Sequence, residues 1–383
     1  MFDFTSLFLI AGIMFGLLAG DAAIYGDTLR VHITVPQSIS SAGFTEASAE
    51  SLFTAEATRF MRGESIIPAP TLRVNEDPTV FTALAKPFNL DPVVAAMQSQ
   101  FGIEQLLITA AVLAPGDAVR PQSPGTKLDM ALVVVGRPHQ MPVQTVLEQP
   151  DGDVITLIKR GAAWAMEQVS PYRVVLADAI AGAQGDPSGF SQAKETAQRF
   201  LARPWNPDRA SELALTRNIL ALLALFANDL KEANAQLEIA DITPDLLPQA
   251  RSVISLNQAF LAVAQRLPDQ AARFLAKGRT VSEPLQLPDF GNNLAILEGL
   301  VAWSGGDTVT AEAKFRKVVA DAPTDETAHH YLAELLTATG HKQGAAAETA
   351  AVGASHRFDQ KLQGLAVVLF WTDPINGGVE PRN

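Results

Sequence analysis

The 383-residue chain contains no cysteine. That absence excludes a disulfide framework, a thiolate metal site and a thiol nucleophile. Basic residues are scarce: 29 Lys and Arg stand against 41 Asp and Glu, the net charge is −12, and none precedes Arg30. Such an acidic surface repels phosphate backbones, so no nucleic-acid partner is expected. Charged residues make up 18% and aromatics 7%, against 48% hydrophobic residues rich in Ala, Leu and Val. That balance suits closely packed helices. Catalytic signatures are missing too: there is no Gly-x-x-x-x-Gly-Lys-Ser/Thr, His-Glu-x-x-His or Gly-x-Ser-x-Gly. The expectation is a non-enzymatic protein with no cofactor and no metal. His329, His330, His341 and His356 cluster late in the chain, but no carboxylate stands at a fixed spacing from them. Asp151-Gly152-Asp153 reads as a turn followed by a helix N-cap.

What is present starts with an uncharged run from Phe4 to Gly20. Its length lies at the short edge of the roughly 17 to 25 residues that cross a bilayer. Gly12, Gly16 and Gly20 would share one helix face, where a second membrane helix could pack closely. A cleaved signal is the rival, although such signals carry a basic leader and only Asp3 precedes this run.

Residues 27–170 mix strand and helix patterns. Leu29, Val31, Ile33 and Val35 alternate with polar residues up to Pro36, as in a half-buried strand. A helix follows to Arg62, then a short strand at Leu72 to Asn75, and short helices from Pro78 to Ala85 and from Pro92 to Gln100. Apolar runs at Gln105 to Leu113, Leu128 to Val135 and Met141 to Leu147 read as strands, the first two antiparallel. A helix from Val154 to Gln168 closes the segment. This order resembles the small α/β domain, similar to the N-terminal domain of TolB, that precedes tetratricopeptide repeats in membrane-bound bacterial regulators. Those relatives carry Pro-Phe after the first strand and Gly-Ser near the later hairpin, where this chain has Pro36-Gln37 and Ala110-Ala111.

Beyond Pro171 the strand patterns stop and a repeat emerges. Ala221, Ala259, Gly299 and Ala333 are small residues inside successive helices. Twelve residues after each stands Ala233, Ala271, Ala311 or Ala345, and four further on Leu237, Leu275, Phe315 or Thr349. The register resembles the tetratricopeptide repeat, whose period is about 34 residues. The best unit is 292–325, with Gly299, Gly306, Ala311, Phe315 and Pro323 at signature places. Others fall at 214–247, 252–285 and 326–359, with a degenerate one at 174–207 and a closing helix from Phe358 to Trp371.

The predicted fold class is therefore a small α/β (α+β) domain followed by an all-α, tetratricopeptide-like solenoid, with an N-terminal membrane helix over residues 1–26. The resemblance implies a concave face that includes Asn218, Leu222, Leu256, Phe260, Ile296, Leu300, Trp303, His330 and Glu334. Without basic residues it cannot clamp a peptide carboxylate. Either it takes a hydrophobic helix or peptide of a partner protein, or these side chains are inter-helix core. The expected protein is a membrane-tethered interaction scaffold, single-pass in a bacterial inner membrane, with its soluble part periplasmic. The alternative is a secreted or periplasmic sensor whose α/β domain holds a small ligand.

Overall fold

A computed structural model describes residues 28–61, 71–73, 106–114, 127–135, 142–183, 185–279 and 290–352. The apolar run with Gly12, Gly16 and Gly20, the two short helices expected near Pro78 and Pro92, His356 and the closing helix all lie outside the described residues. Among the described residues no helix is long and apolar enough to cross a membrane. The chain divides into two compact units, with the change at Ser170 and Pro171.

The first unit holds β1 (Thr28–Thr34), α1 (Gln37–Ser40), α2 (Glu46–Met61), β2 (Thr71–Arg73), β3 (Leu106–Leu113), β4 (Leu128–Val135), β5 (Val143–Gln149) and α3 (Val154–Val169). The strands form one mixed sheet in the order β2-β1-β3-β4-β5. β1 runs parallel to β2 and β3, while β3, β4 and β5 are successive antiparallel neighbours. Alternation decides the faces. Leu29, Val31, Ile33, Ile108, Ala110, Val112, Leu128, Met130, Leu132 and Val134 are buried, and α2 and α3 pack against the sheet and each other. α2 brings Ala49, Phe53, Ala57 and Phe60 to that core, a spacing that keeps them on one helix face. On the other face Leu107, Leu113, Val135 and Val146 remain 37, 48, 37 and 58% exposed. β2 covers only the start of β1. Further along, Glu50 and Glu46 accept the N–H groups of Ile33 and Val35 at 3.2 and 3.3 Å. These carboxylates stand in for ladder partners.

The second unit is helical throughout its described length. Its helices are α4 (Pro171–Ala183), α5 (Gly189–Leu201), α6 (Ala210–Phe226), α7 (Leu230–Asp241), α8 (Pro248–Ala264), α9 (Pro268–Gly278), α10 (Phe290–Ser304), α11 (Thr308–Asp321), α12 (Glu326–Ala338) and α13 (Lys342–Ala351). Each even-numbered helix packs on the odd-numbered one that follows, making five hairpins, and α6, α8 and α10 also pack in succession. One continuous apolar core runs through the stack.

One turn is repeated in four hairpins. Asn228, Arg266, Gly306 and Gly340 each stand seven residues after Ala221, Ala259, Gly299 or Ala333, with φ of 57, 61, 85 and 84°. In each case the next residue's N–H reaches back to a helix carbonyl: Asp229 to Ala224, Leu267 to Ala262, Asp307 to Ala302 and His341 to Leu336, all within 2.9 Å. This left-handed closure satisfies carbonyls that the helix end would orphan. Only two of the four positions carry glycine, which adopts such a φ without steric cost. Replacing Arg266 by Gly should therefore stabilise the chain by about 0.5–1 kcal/mol. A denaturant melt checks the sign; lower stability would mean that the Arg266 side chain contributes more than its backbone costs.

The turns hand over directly to the second helix. Asp229 and Asp307 accept the N–H groups of Glu232 and Thr310, each at 3.0 Å, as helix N-caps. Hydrogen bonding from the Thr310 side chain, then from its backbone, holds the Asp307 carboxyl below its ordinary value of 3.8. Its contribution to stability is thus present above that value and is lost as pH falls through the lower folded value.

Candidate interaction surface

Seven of the nine residues that the sequence places on a concave face lie in the helical core. Asn218, Leu222, Leu256, Phe260, Ile296, Leu300 and Trp303 are at most 5% exposed. The expected groove is corrected accordingly: these side chains are packing, and no open surface is made from them. The reason is visible along α8, where every residue from Ser252 to Val263 is buried. That stretch has no charged residue and no polar stripe wide enough to face water. A helix apolar on all sides belongs in an interior.

The remaining two sit at the rim of α12, where His330 Nε2 lies 3.3 Å from a Glu334 carboxylate oxygen. The neighbouring His329 is 7% exposed. Its Nδ1 lies 2.6 Å from Glu348 on α13, and its Nε2 lies 3.0 Å from the Pro323 carbonyl. Both ring nitrogens thus tie α12 to the helix after it and the turn before it. Among the described residues no three His, Asp or Glu side chains converge as a metal site. The Asp151 and Asp153 pair is structural as well. Asp153 caps α3 by accepting the Ile155 N–H at 2.9 Å, and Asp151 accepts the Asp153 N–H at 3.2 Å. A side-chain hydrogen bond from Thr156 holds Asp153 below its ordinary value, and one from Gln149 does the same for Asp151. Neither is poised to take up a proton near neutral pH.

Charged groups act mainly as staples. Glu298 on α10, 10% exposed, is held by Lys314 of α11 and by Arg279 at 2.9 Å, just past α9. Lys277 on α9 reaches both carboxylate oxygens of Asp241 at the end of α7, at 2.6 and 2.8 Å. The Arg279 and Lys277 pairs pin successive hairpins in register, and the Lys314 pair closes a single hairpin.

Large apolar side chains reach solvent at the ends of the hairpins. Phe226, Leu267 and Val309 stand at the turns of three consecutive hairpins and are 44, 38 and 79% exposed. Trp205, Ile242 and Leu247 lie in the links between hairpins at 53, 79 and 46%. The second of these links is tied to the start of α6, where the Leu247 N–H donates to Ser211 Oγ at 2.9 Å. Sequence reasoning passed over these residues because it searched helix faces, whereas apolar residues within turn stretches were the available signal. An exposed apolar set repeated from hairpin to hairpin is chemically suited to a protein partner, offering contact area without any reactive group.

No family model matches this chain, and no curated protein matches it significantly.

Proposed function

We propose that the chain is a non-enzymatic scaffold whose tetratricopeptide-like hairpins present a surface to a protein partner, with an N-terminal segment that tethers it to a membrane. The supporting observation is the repeated turn. A small residue, a left-handed residue seven positions later and a following helix recur in four hairpins, and stacked repeats of this kind create extended binding surfaces. Partner contacts run along the turn end of the hairpins, through Phe226, Leu267 and Val309, because the inner helix faces are buried. The uncharged run from Phe4 to Gly20 supports the tether. The acidic residues after it, with no basic residue before it, support a periplasmic soluble part.

Photo-crosslinking from a residue introduced at Val309 or Leu267, in native membranes, tests the scaffold. One discrete adduct through those positions, absent when the crosslinker replaces Ala55 on the exposed side of α2 in the first unit, is expected. Absence of any adduct at the hairpin ends refutes it. Membrane fractionation with N-terminal sequencing tests the tether: an intact Met1 in the membrane is expected, and a new terminus near Ala22 or Ala23 excludes it.

A further inference from the structure

We propose that the free edge of β5 is a self-association site, on which a second copy of this chain adds its own β5 in antiparallel register centred on Val146. This rests on the first unit alone and is independent of the scaffold reading. Among the described residues β5 ends the sheet, pairing only with β4. A free strand edge offers a row of backbone donors and acceptors, and proteins that remain monomeric usually block it with Lys, Pro, a bulge or a covering element. From Val143 to Gln149 the strand has no Lys, Arg, Pro or Gly, and Val143 and Val146 are 44 and 58% exposed. Seven regular rungs to β4 run without a bulge.

The choice of a second copy follows from the sequence read about its midpoint. Pro142 and Pro150 lie four residues to either side of Val146. A two-fold pairing centred there ends at a proline on both strands, each lacking the N–H that a further rung would need. Inside those brackets Val146 meets Val146 of the other copy, Gln144 meets Glu148, Thr145 meets Leu147, and Val143 meets Gln149. The only charge on the strand, Glu148, therefore faces an amide and never another carboxylate, which spares the pair the like-charge repulsion that opposes cross-strand pairing. Pairing would also continue the open sheet face, on which Val146 lies beside Ala131 of β4 and which also carries Leu107, Leu113 and Val135. One edge group is already engaged: Arg160 donates to the Glu148 carbonyl at 2.8 Å. A carbonyl oxygen has two lone pairs, so the last rung can share it.

The cysteine-free chain makes a clean test. Val146→Cys, in the full-length protein in mild detergent, should form a disulfide-linked dimer on mild oxidation, since directly opposed β-carbons lie about 4.5–5.5 Å apart. Val143→Cys should not, because in this register the two copies of residue 143 are displaced by about 20 Å along the strands. Light scattering on the wild-type chain at micromolar concentration should give twice the chain mass. Val146→Lys, which sets two like charges opposite each other at an exposed position, should halve that mass with the circular dichroism spectrum unchanged. A wild-type chain that is monomeric, equal crosslinking at 143 and 146, or a dimer that survives Val146→Lys each overturns the proposal. A monomer captured through β5 by another protein would assign the edge to that partner and equally refute self-association.

Discussion

Phe315→Ala should destabilise the helical unit by about 3–5 kcal/mol, the cost of deleting a fully buried aromatic ring and leaving its cavity. Phe315 on α11 is 0% exposed. Its ring stacks on Tyr331 of the next hairpin with centroids 5.9 Å apart. On its other side it presses on Gly299 of its own hairpin, where a β-carbon would fall 2.5 Å from the ring. One side chain thus joins two hairpins and explains why position 299 has none. Gly299→Ala should cost about 1–3 kcal/mol by overpacking. The same change should cost less in the Phe315→Ala background, where the ring is gone, a coupling that a double-mutant cycle reads directly. Lys317→Ala is the control: Lys317 is 61% exposed and among the described residues pairs with Asp321 one turn on, so its loss should be close to silent. Equal sensitivity at Lys317 and Phe315 in denaturant melts would refute this packing. Because contacts in a stacked repeat are nearest-neighbour, hydrogen exchange should show α10 to α13 loosening first in Phe315→Ala.

The strands were legible because the chain alternates cleanly. Leu29, Val31 and Ile33 mark β1, and the apolar runs become β3, β4 and β5. The antiparallel pairing of β3 with β4 followed from the long insert between them. Asp153 announced itself as a cap because an acidic residue after a glycine turn stood directly before an apolar helix. The small-residue register marked where helices approach, and at one of these positions the structure sets the Phe315 ring against Gly299. Periodicity finds which residues share a face and says nothing about which facing residue is large enough to arrive there first. The left-handed turn was hidden for a similar reason. Gly306 and Gly340 are conspicuous, but Asn228 and Arg266 hold the same backbone conformation without its usual residue. The groove was one of two readings left open for these positions, and burial of seven of the nine goes with the other, inter-helix packing. In α6, α8 and α10 the apolar residues encircle the helix, and that pattern outweighs position in a repeat.

A polar pair inside this core supplies the second large effect. Asn257 of α8 donates its amide to Asn218 Oδ1 of α6 at 2.8 Å, and both residues are 0% exposed. Asn218 Nδ2 is buried with no hydrogen-bond partner of its own. A buried polar pair stabilises little relative to a well-packed apolar pair, but losing one member strands the other. Asn257→Leu alone should therefore cost about 1–3 kcal/mol, because it leaves both polar atoms of the Asn218 amide dry and unpaired. Replacing both residues by Leu should recover most of that loss, giving a coupling of about 0.5–3 kcal/mol in a double-mutant cycle. The pair also sets register. Asn218 stands three residues before Ala221 and Asn257 two before Ala259, so the bond forms only when α6 and α8 are staggered by one residue. The double Leu variant should keep its stability while its core loses that specificity, read as faster exchange of the α6 and α8 amides at an unchanged melting midpoint. Strictly additive single-variant costs would mean that the two side chains do not depend on each other, and the register role would fall with the bond.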